Sequence, residues 1–197
     1  VLRRVHADSE RTKRQDNEHN KTTLHTQQMK SIVLIGYMGS GKTTVGRQLA
    51  LALGRTFYDL DWYIEMRYHR TVAQLFAERG EDGFRELERN MLHEAAEFED
   101  IVLSCGGGTP CFFDNMEYIR SVSESIYLKA TPEVLAQHLQ MGKVERPLNK
   151  GKSPEELLEY IRTTLAQREH FYMQAKHIVD VTLLDNYDKL QTSVQII

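Results

Sequence analysis

Apolar residues gather along this chain in two alternating ways: short unbroken runs, and longer stretches where they recur at helical spacing. The run SIVLIG, 31–36, is rich in β-branched residues, as a strand buried on both faces of a parallel sheet would be. In KTTVGRQLALALG, 42–54, the residues Val45, Leu49 and Leu53 recur every fourth position. That spacing predicts a helix with one apolar stripe, closed by Gly54. TFYDLD, 56–61, reads as a short strand ending in two acids, and WYIEMRYH after it as a helix. Thr71 is placed to cap a further helix ending at Gly80. Phe84, Leu87, Met91 and Leu92 then line one face of a longer helix over 81–100.

The alternation continues. IVLSCGGG is a buried strand running into three glycines, DNMEYIRSV a helix, and SIYLKA a strand. Pro132 suits the first turn of the helix PEVLAQHLQ. MGKVERPLNKGKS is polar and basic, and is expected to be a mobile loop. Ser153 and Glu156 have capping-box spacing and open a long helix through about residue 175. HIVDVT is a last strand, and the C-terminus a last helix. Strands alternating with helices imply an α/β fold, a parallel sheet with helices on both faces.

A length of 197 residues suits one domain with its own core. No apolar run reaches the roughly 18 residues of a membrane helix. The formal net charge of −3 gives no bulk attraction to nucleic acid or anionic lipid, so acidic ligands must be held by local cations. The two cysteines, Cys105 and Cys111, match no metal spacing and read as reduced thiols of a cytoplasmic protein. Residues 1–28 stand apart, polar and without apolar period, with six Lys/Arg and four Asp/Glu. They are expected to be a disordered extension ahead of Met29, neither secretory signal nor transit peptide.

The sharpest chemical signal is GYMGSGKTT, 36–44, which fills the pattern G-x-x-x-x-G-K-[ST] with Gly36, Gly41, Lys42 and Thr43. It lies between a strand and a helix, the order needed to aim a helix N-terminus at phosphates. Glycines let the loop turn back so that its N–H groups face phosphate oxygens. Lys42 would reach the β- and γ-phosphates, and Thr43 would offer a hydroxyl to Mg²⁺.

Four further stretches bear on the acceptor. Asp59 and Asp61, read as strand positions i and i+2, would point the same way at the sheet edge, one supporting Mg²⁺ and one accepting a proton. Arg85 and Glu88 share a helical face, so Glu88 can orient Arg85 to grip a carboxylate. The glycines Gly106, Gly107 and Gly108 suggest close approach of a ligand to the backbone, with N–H groups for hydroxyls. Arg146, in the basic loop, could fold over the γ-phosphate, and Arg168 could be a second carboxylate clamp.

LIGYMGSGKTTVG, FYDLD, GFRELE, CGGG, ERPL and RxxxY (Arg168, Tyr172), in this order and spacing, resemble the shikimate kinase family over about residues 31–182. The resemblance implies a P-loop three-layer α/β/α fold with a five-stranded parallel sheet. It also implies a small helical substrate-binding part at about 60–98 and a lid at about 141–153, within a domain spanning 29–197. It implies ATP as co-substrate, bound by Gly39, Ser40, Gly41, Lys42, Thr43, Thr44 and Arg146. Mg²⁺ would be held by Thr43 and, through water, Asp59. Shikimate would be held by Asp61, Arg85, Gly106, Gly107, Gly108 and Arg168, with Glu88 steadying Arg85. Lys42, Asp61 and Arg146 would be catalytic, Asp61 receiving the proton of the 3-hydroxyl. The product would be shikimate 3-phosphate, on the route to aromatic amino acids, made by a cytoplasmic monomer with neither nucleic acid nor membrane as partner.

One departure stands out. Many family members carry an arginine several residues before the lid Arg-Pro, stacked on adenine. Here, in HLQMGKVERP, Lys143 is the only such basic residue before Arg146. Trp62, next to Asp61, would report substrate binding by fluorescence, or pack in the small helical part. Two other readings stay open on these residues: a kinase of another small hydroxy acid such as gluconate, and a non-catalytic relative that binds nucleotide.

Overall fold

A computed structural model of the chain describes residues 30–141 and 152–182. Five strands, β1 (Ile32–Ile35), β2 (Thr56–Asp59), β3 (Ile101–Ser104), β4 (Glu124–Lys129) and β5 (His177–Asp180), form one parallel sheet in the order β2-β3-β1-β4-β5. The helices are α1 (Lys42–Leu53), α2 (Leu60–Tyr68), α3 (Val72–Ala96), α4 (Asn115–Val122), α5 (Pro132–Met141) and α6 (Pro154–Tyr172). A 3₁₀ turn, Thr109–Cys111, follows β3.

β1 is central, pairing Ile32 with Val102 of β3 on one side and with Glu124 of β4 on the other. All four of its residues are buried, as are all four of β3. That explains why both read as unbroken apolar runs. The chain turns from one side of β1 to the other between β3 and β4, and such switch points open a crevice beyond the strand ends. Two glycine-rich segments leave adjacent strands there, since Cys105 N donates to Leu34 O at 3.0 Å.

Local signals account for most boundaries. Gly54 closes α1 in the left-handed region at φ 66°. Thr71–Gln74 and Ser153–Glu156 both form reciprocal capping boxes. Gly80, at φ 70°, breaks the run 72–96 into the two helical pieces that its sequence suggests. Phe84, Leu87, Met91 and Leu92 are all buried.

Three expectations need correction. The stripe on α1 does not include Leu53, which is 43% exposed; Val45, Gly46, Leu49 and Ala50 face the sheet instead. Gly46 serves because a Cβ there would stand 2.5 Å from Phe57 Cε2 and 3.0 Å from Leu34 Cδ1. Asp61 is not in a strand. Asp59 Oδ1 accepts from Asp61 N at 3.2 Å and Trp62 N at 3.4 Å, so it caps α2 and β2 stops at residue 59. The long helix α6 ends at Tyr172, not near residue 175. The tail 1–28, most of the expected lid (142–151, with Lys143 and Arg146) and the expected last helix lie outside the described residues.

Gly46→Ala sets two effects against each other. Alanine gains about 1 kcal/mol of helix propensity, but overpacking against fully buried Leu34 and partly buried Phe57 costs about 1–3 kcal/mol. Urea denaturation should show a net loss of stability; a gain would mean that Phe57 yields freely.

Candidate functional site

The phosphate loop joins β1 to α1, with Gly36, Gly39 and Gly41 at φ 143°, 84° and 84°. A side chain at any of these would be strained. Gly36 has a second reason, since a Cβ would meet Leu128 O at 2.8 Å. Lys42 Nζ donates to Gly36 O at 2.9 Å and Tyr37 O at 3.0 Å, so its ammonium lies over the loop. Ser40 is buried, and its Oγ finds no partner among the described residues. The first amides of α1, from Lys42 through Thr44, have no intrahelical acceptor, which makes this end an anion site. Thr43 and Thr44 are both exposed there.

Thr43 Oγ1 donates to Asp59 Oδ2 at 3.1 Å. The hydroxyl and carboxylate expected to serve Mg²⁺ therefore adjoin, held by the start of α1 and the end of β2. These are hard oxygen donors, few in number, which suits an ion that keeps water and takes phosphate oxygens. Among the described residues no group of three or more His, Cys, Asp or Glu could form a dedicated protein metal cage.

Arg85 is the second centre. It is 9% exposed, Glu88 1%, and Arg85 Nη1 donates to Glu88 Oε2 at 2.8 Å. Thr109 Oγ1 donates to the other oxygen, Glu88 Oε1, at 2.6 Å, and Asn115 Nδ2 fixes Thr109 O at 2.8 Å. Glu81 lies 3.6 Å from Arg85 Nη2. The ring centroid of Phe112 lies 4.1 Å from Arg85 Cζ, and those of Phe76 and Phe84 lie 5.4 and 5.5 Å away. These rings hold the cation by its face. Arg85 Nε has no partner among the described residues.

The glycine run joins the two centres. A Cβ on Gly106 would stand 3.0 Å from Asp61 Oδ1 and 3.2 Å from Glu88 Oε1. One on Gly107 would stand 3.3 Å from Met38 N of the phosphate loop, and one on Gly108 2.8 Å from Arg85 Nη2. None of the three has positive φ. They are glycine because an acid, the phosphate loop and a guanidinium each press on the backbone, not because the turn is strained.

Arg168, on α6, is half-buried with Cζ 5.9 Å from the ring centroid of Tyr37. Tyr172, one turn on and buried, donates its hydroxyl to Gly107 O. Cys111 marks how near the two arginines are. Burial pushes its thiol up to about 11, while Arg168, a bond from Tyr172 and then Arg85 pull the other way. Burial raises Cys105 further, with the Glu88 carboxylate adding to it. Both thiols are free and protonated near neutral pH.

Lys42, Thr43, Asp59, Asp61, Arg85, Gly106, Gly107, Gly108 and Arg168 thus share one crevice at the C-terminal edge of β1, β2 and β3. Thr109, Asn115 and Phe112 also belong to it. Nothing in their spacing announces them, because Thr109 and Phe112 have their partners on α3 and Asn115 acts through Thr109 O. Only the direct continuation from the glycine run hinted at Thr109.

A profile of the shikimate kinase family matches residues 38–196. The chain belongs to the shikimate kinase family. It is 54% identical to a shikimate kinase of Phocaeicola vulgatus over 166 residues, which span 84% of this chain and 95% of that protein. The crystal structure of the shikimate kinase of Bacteroides thetaiotaomicron superposes with a TM-score of 0.83 at 50% identity, covering 85% of this chain and 96% of the other. The shikimate kinase of Acinetobacter baumannii, solved in complex with shikimate, gives 0.72 at 34% identity, covering 85% and 92%. These matches extend over the phosphate loop and the glycine run alike.

Glu88→Ala would leave the buried Arg85 charge with Glu81 as its nearest carboxylate. Unpairing a buried ion pair costs about 3–5 kcal/mol, and the exposed Glu81 beside Arg85 should hold the loss near the lower figure. Denaturant melts read it. A loss under about 1 kcal/mol would show the pair to be no more than a surface contact.

Proposed function

We infer that the chain is a shikimate kinase in activity as in family, transferring the γ-phosphoryl of ATP to the 3-hydroxyl of shikimate. The products are shikimate 3-phosphate and ADP, and the step belongs to aromatic amino acid biosynthesis. The observation that carries this reading is the glycine run, with a phosphate loop against Gly107 and a buried, carboxylate-steadied arginine against Gly108. A triphosphate and a small carboxylated acceptor can therefore meet within a few ångströms.

Roles follow from that placement. Arg85 and Arg168 hold the shikimate carboxylate; Glu88, Thr109 and Phe112 fix the direction of Arg85. Backbone groups of Gly106, Gly107 and Gly108 line the ring, and Asp61 binds its hydroxyls. The acceptor oxygen attacks γ-phosphorus, its proton passes to Asp61, and the bond from γ-phosphorus to the β–γ bridging oxygen breaks to release ADP. Lys42 and the loop amides of Gly39, Gly41, Thr43 and Thr44 hold the phosphates in line, which is most of what phosphoryl transfer asks of a protein, while Ser40 shapes the loop through its N–H on Tyr37 O. Thr43 and Asp59, the latter through water, would hold Mg²⁺, which would supply positive charge against the phosphates. Arg146, in the segment the family resemblance marks as the lid, adds positive charge at the transferring group.

The helical part at about 60–98 carries Asp61, Arg85 and Glu88, and about 141–153 is the segment that the family resemblance marks as the lid. The enzyme is proposed to act as a monomer. No described helix is long and apolar enough to cross a membrane. A cytoplasmic enzyme acting on small molecules suits the two free thiols.

ADP release with Mg-ATP should require shikimate, and should be absent with gluconate, CMP or no acceptor. Turnover with gluconate would keep the kinase and overturn the acceptor. Arg85→Ala should raise KM for shikimate strongly, lowering kcat/KM for shikimate by ~2–5 kcal/mol in transition-state terms, and leave KM for ATP near its starting value. Asp61→Asn should act chiefly on kcat; near-full kcat would remove Asp61 as the proton acceptor.

A further inference from the structure

The phosphate loop is gripped at its tip from outside the site. His138 Nδ1 on α5 lies 2.8 Å from Gly39 O. A carbonyl oxygen only accepts, so the imidazole carries a proton on Nδ1 and donates it. The same face of α5 brings Leu135 and Leu139 to this point. A Cβ on Gly39 would stand 3.2 Å from Leu135 O and 3.2 Å from Leu139 Cγ. The other end of the same peptide is held as well, because Ser40 N donates to Tyr37 O at 3.2 Å. The Gly39–Ser40 peptide is thus pinned at both its carbonyl and its N–H.

That pinning matters because of what lies on either side. Gly39 and Gly41 both sit at φ 84°. Glycine populates either sign of φ about equally, so a loop with two such residues is otherwise free to turn its peptide planes over. Each plane that turns aims a carbonyl, rather than an N–H, at the incoming phosphates. Fixing the 39–40 peptide leaves the amides that open α1 with one direction, ready before the nucleotide arrives. His138 is only half-buried, so its ring is not there chiefly to fill the core, and it is 99 residues from its partner in sequence.

We propose that His138 is a positioning residue for the phosphate loop: by donating from Nδ1 to Gly39 O it pre-organises the loop for nucleotide phosphates, and it sets nucleotide affinity without touching shikimate affinity. Its effect works through the loop backbone and not through contact with a substrate.

The test is calorimetric titration of the whole chain and its His138→Ala and His138→Asn variants with MgADP, and separately with shikimate. A single lost hydrogen bond corresponds to about a three- to tenfold change in affinity. His138→Ala should weaken MgADP by that factor and leave shikimate affinity and melting temperature unchanged. His138→Asn should recover most of the loss, because its amide Nδ2–H occupies nearly the place of the ring Nδ1–H. Unchanged MgADP affinity in His138→Ala would overturn the proposal. So would an Asn variant as weak as the Ala variant, which would assign the effect to ring packing. Equal weakening of MgADP and shikimate would overturn it too, since that marks general loosening of the fold.

Discussion

A charged carboxylate with 1% of its surface exposed needs partners for both of its oxygens, and Glu88 has them. One oxygen takes Arg85 and the other takes Thr109. This single carboxylate ties α3 to the turn after β3, and everything else in the acceptor half of the site is arranged around it. Burying it against apolar neighbours would destabilise the fold unless the guanidinium stayed in place. Arg85 is therefore fixed in position by the energetics of folding, not only by any ligand. Phe112 at 4.1 Å from Arg85 Cζ closes one face of the cation, and Nε has no partner among the described residues. A cation already oriented binds a carboxylate with less ordering to accomplish.

The nucleotide half depends on a different constraint, the strand order. β1 and β3 are neighbours, so the phosphate loop and the glycine run emerge side by side. Residues without side chains then let the two segments close on one another. Asp59 links the halves a second time. It caps α2 through one oxygen and accepts from Thr43 of α1 through the other. The same carboxylate that ends β2 thereby turns Asp61 toward Gly106 and stands ready beside Thr43.

Much of this was legible in the chain. The unbroken runs of β1 and β3, the caps at Thr71 and Ser153, and the loop 36–44 are local, and local chemistry decides them. The Arg85–Glu88 pair could be seen as i, i+3 neighbours, but not its burial, which depends on Thr109 and Phe112 more than twenty residues away. The run TFYDLD reads as a strand through Asp61, but the capping power of Asp59 ends it two residues earlier. Leu53 fitted a helical stripe, yet the sheet meets α1 one position round, where Gly46 lets Phe57 and Leu34 in. The glycine run pointed to close approach, though its first tight neighbours are protein atoms. His138 had no signal at all, being one polar residue in an amphipathic helix whose partner is a backbone carbonyl of distant sequence.

The central claim is that the acceptor site is an arginine pressed onto a bare backbone at Gly108 and held there by Glu88. Gly108→Ala tests it most directly, because a methyl there would stand within 3.0 Å of three guanidinium atoms of Arg85. Calorimetry on that variant should find shikimate binding weakened at least about tenfold, the scale of one misplaced charged hydrogen bond, with MgADP binding intact. Shikimate binding as tight as in the unaltered chain would contradict the account, and would move the acceptor's carboxylate away from Arg85.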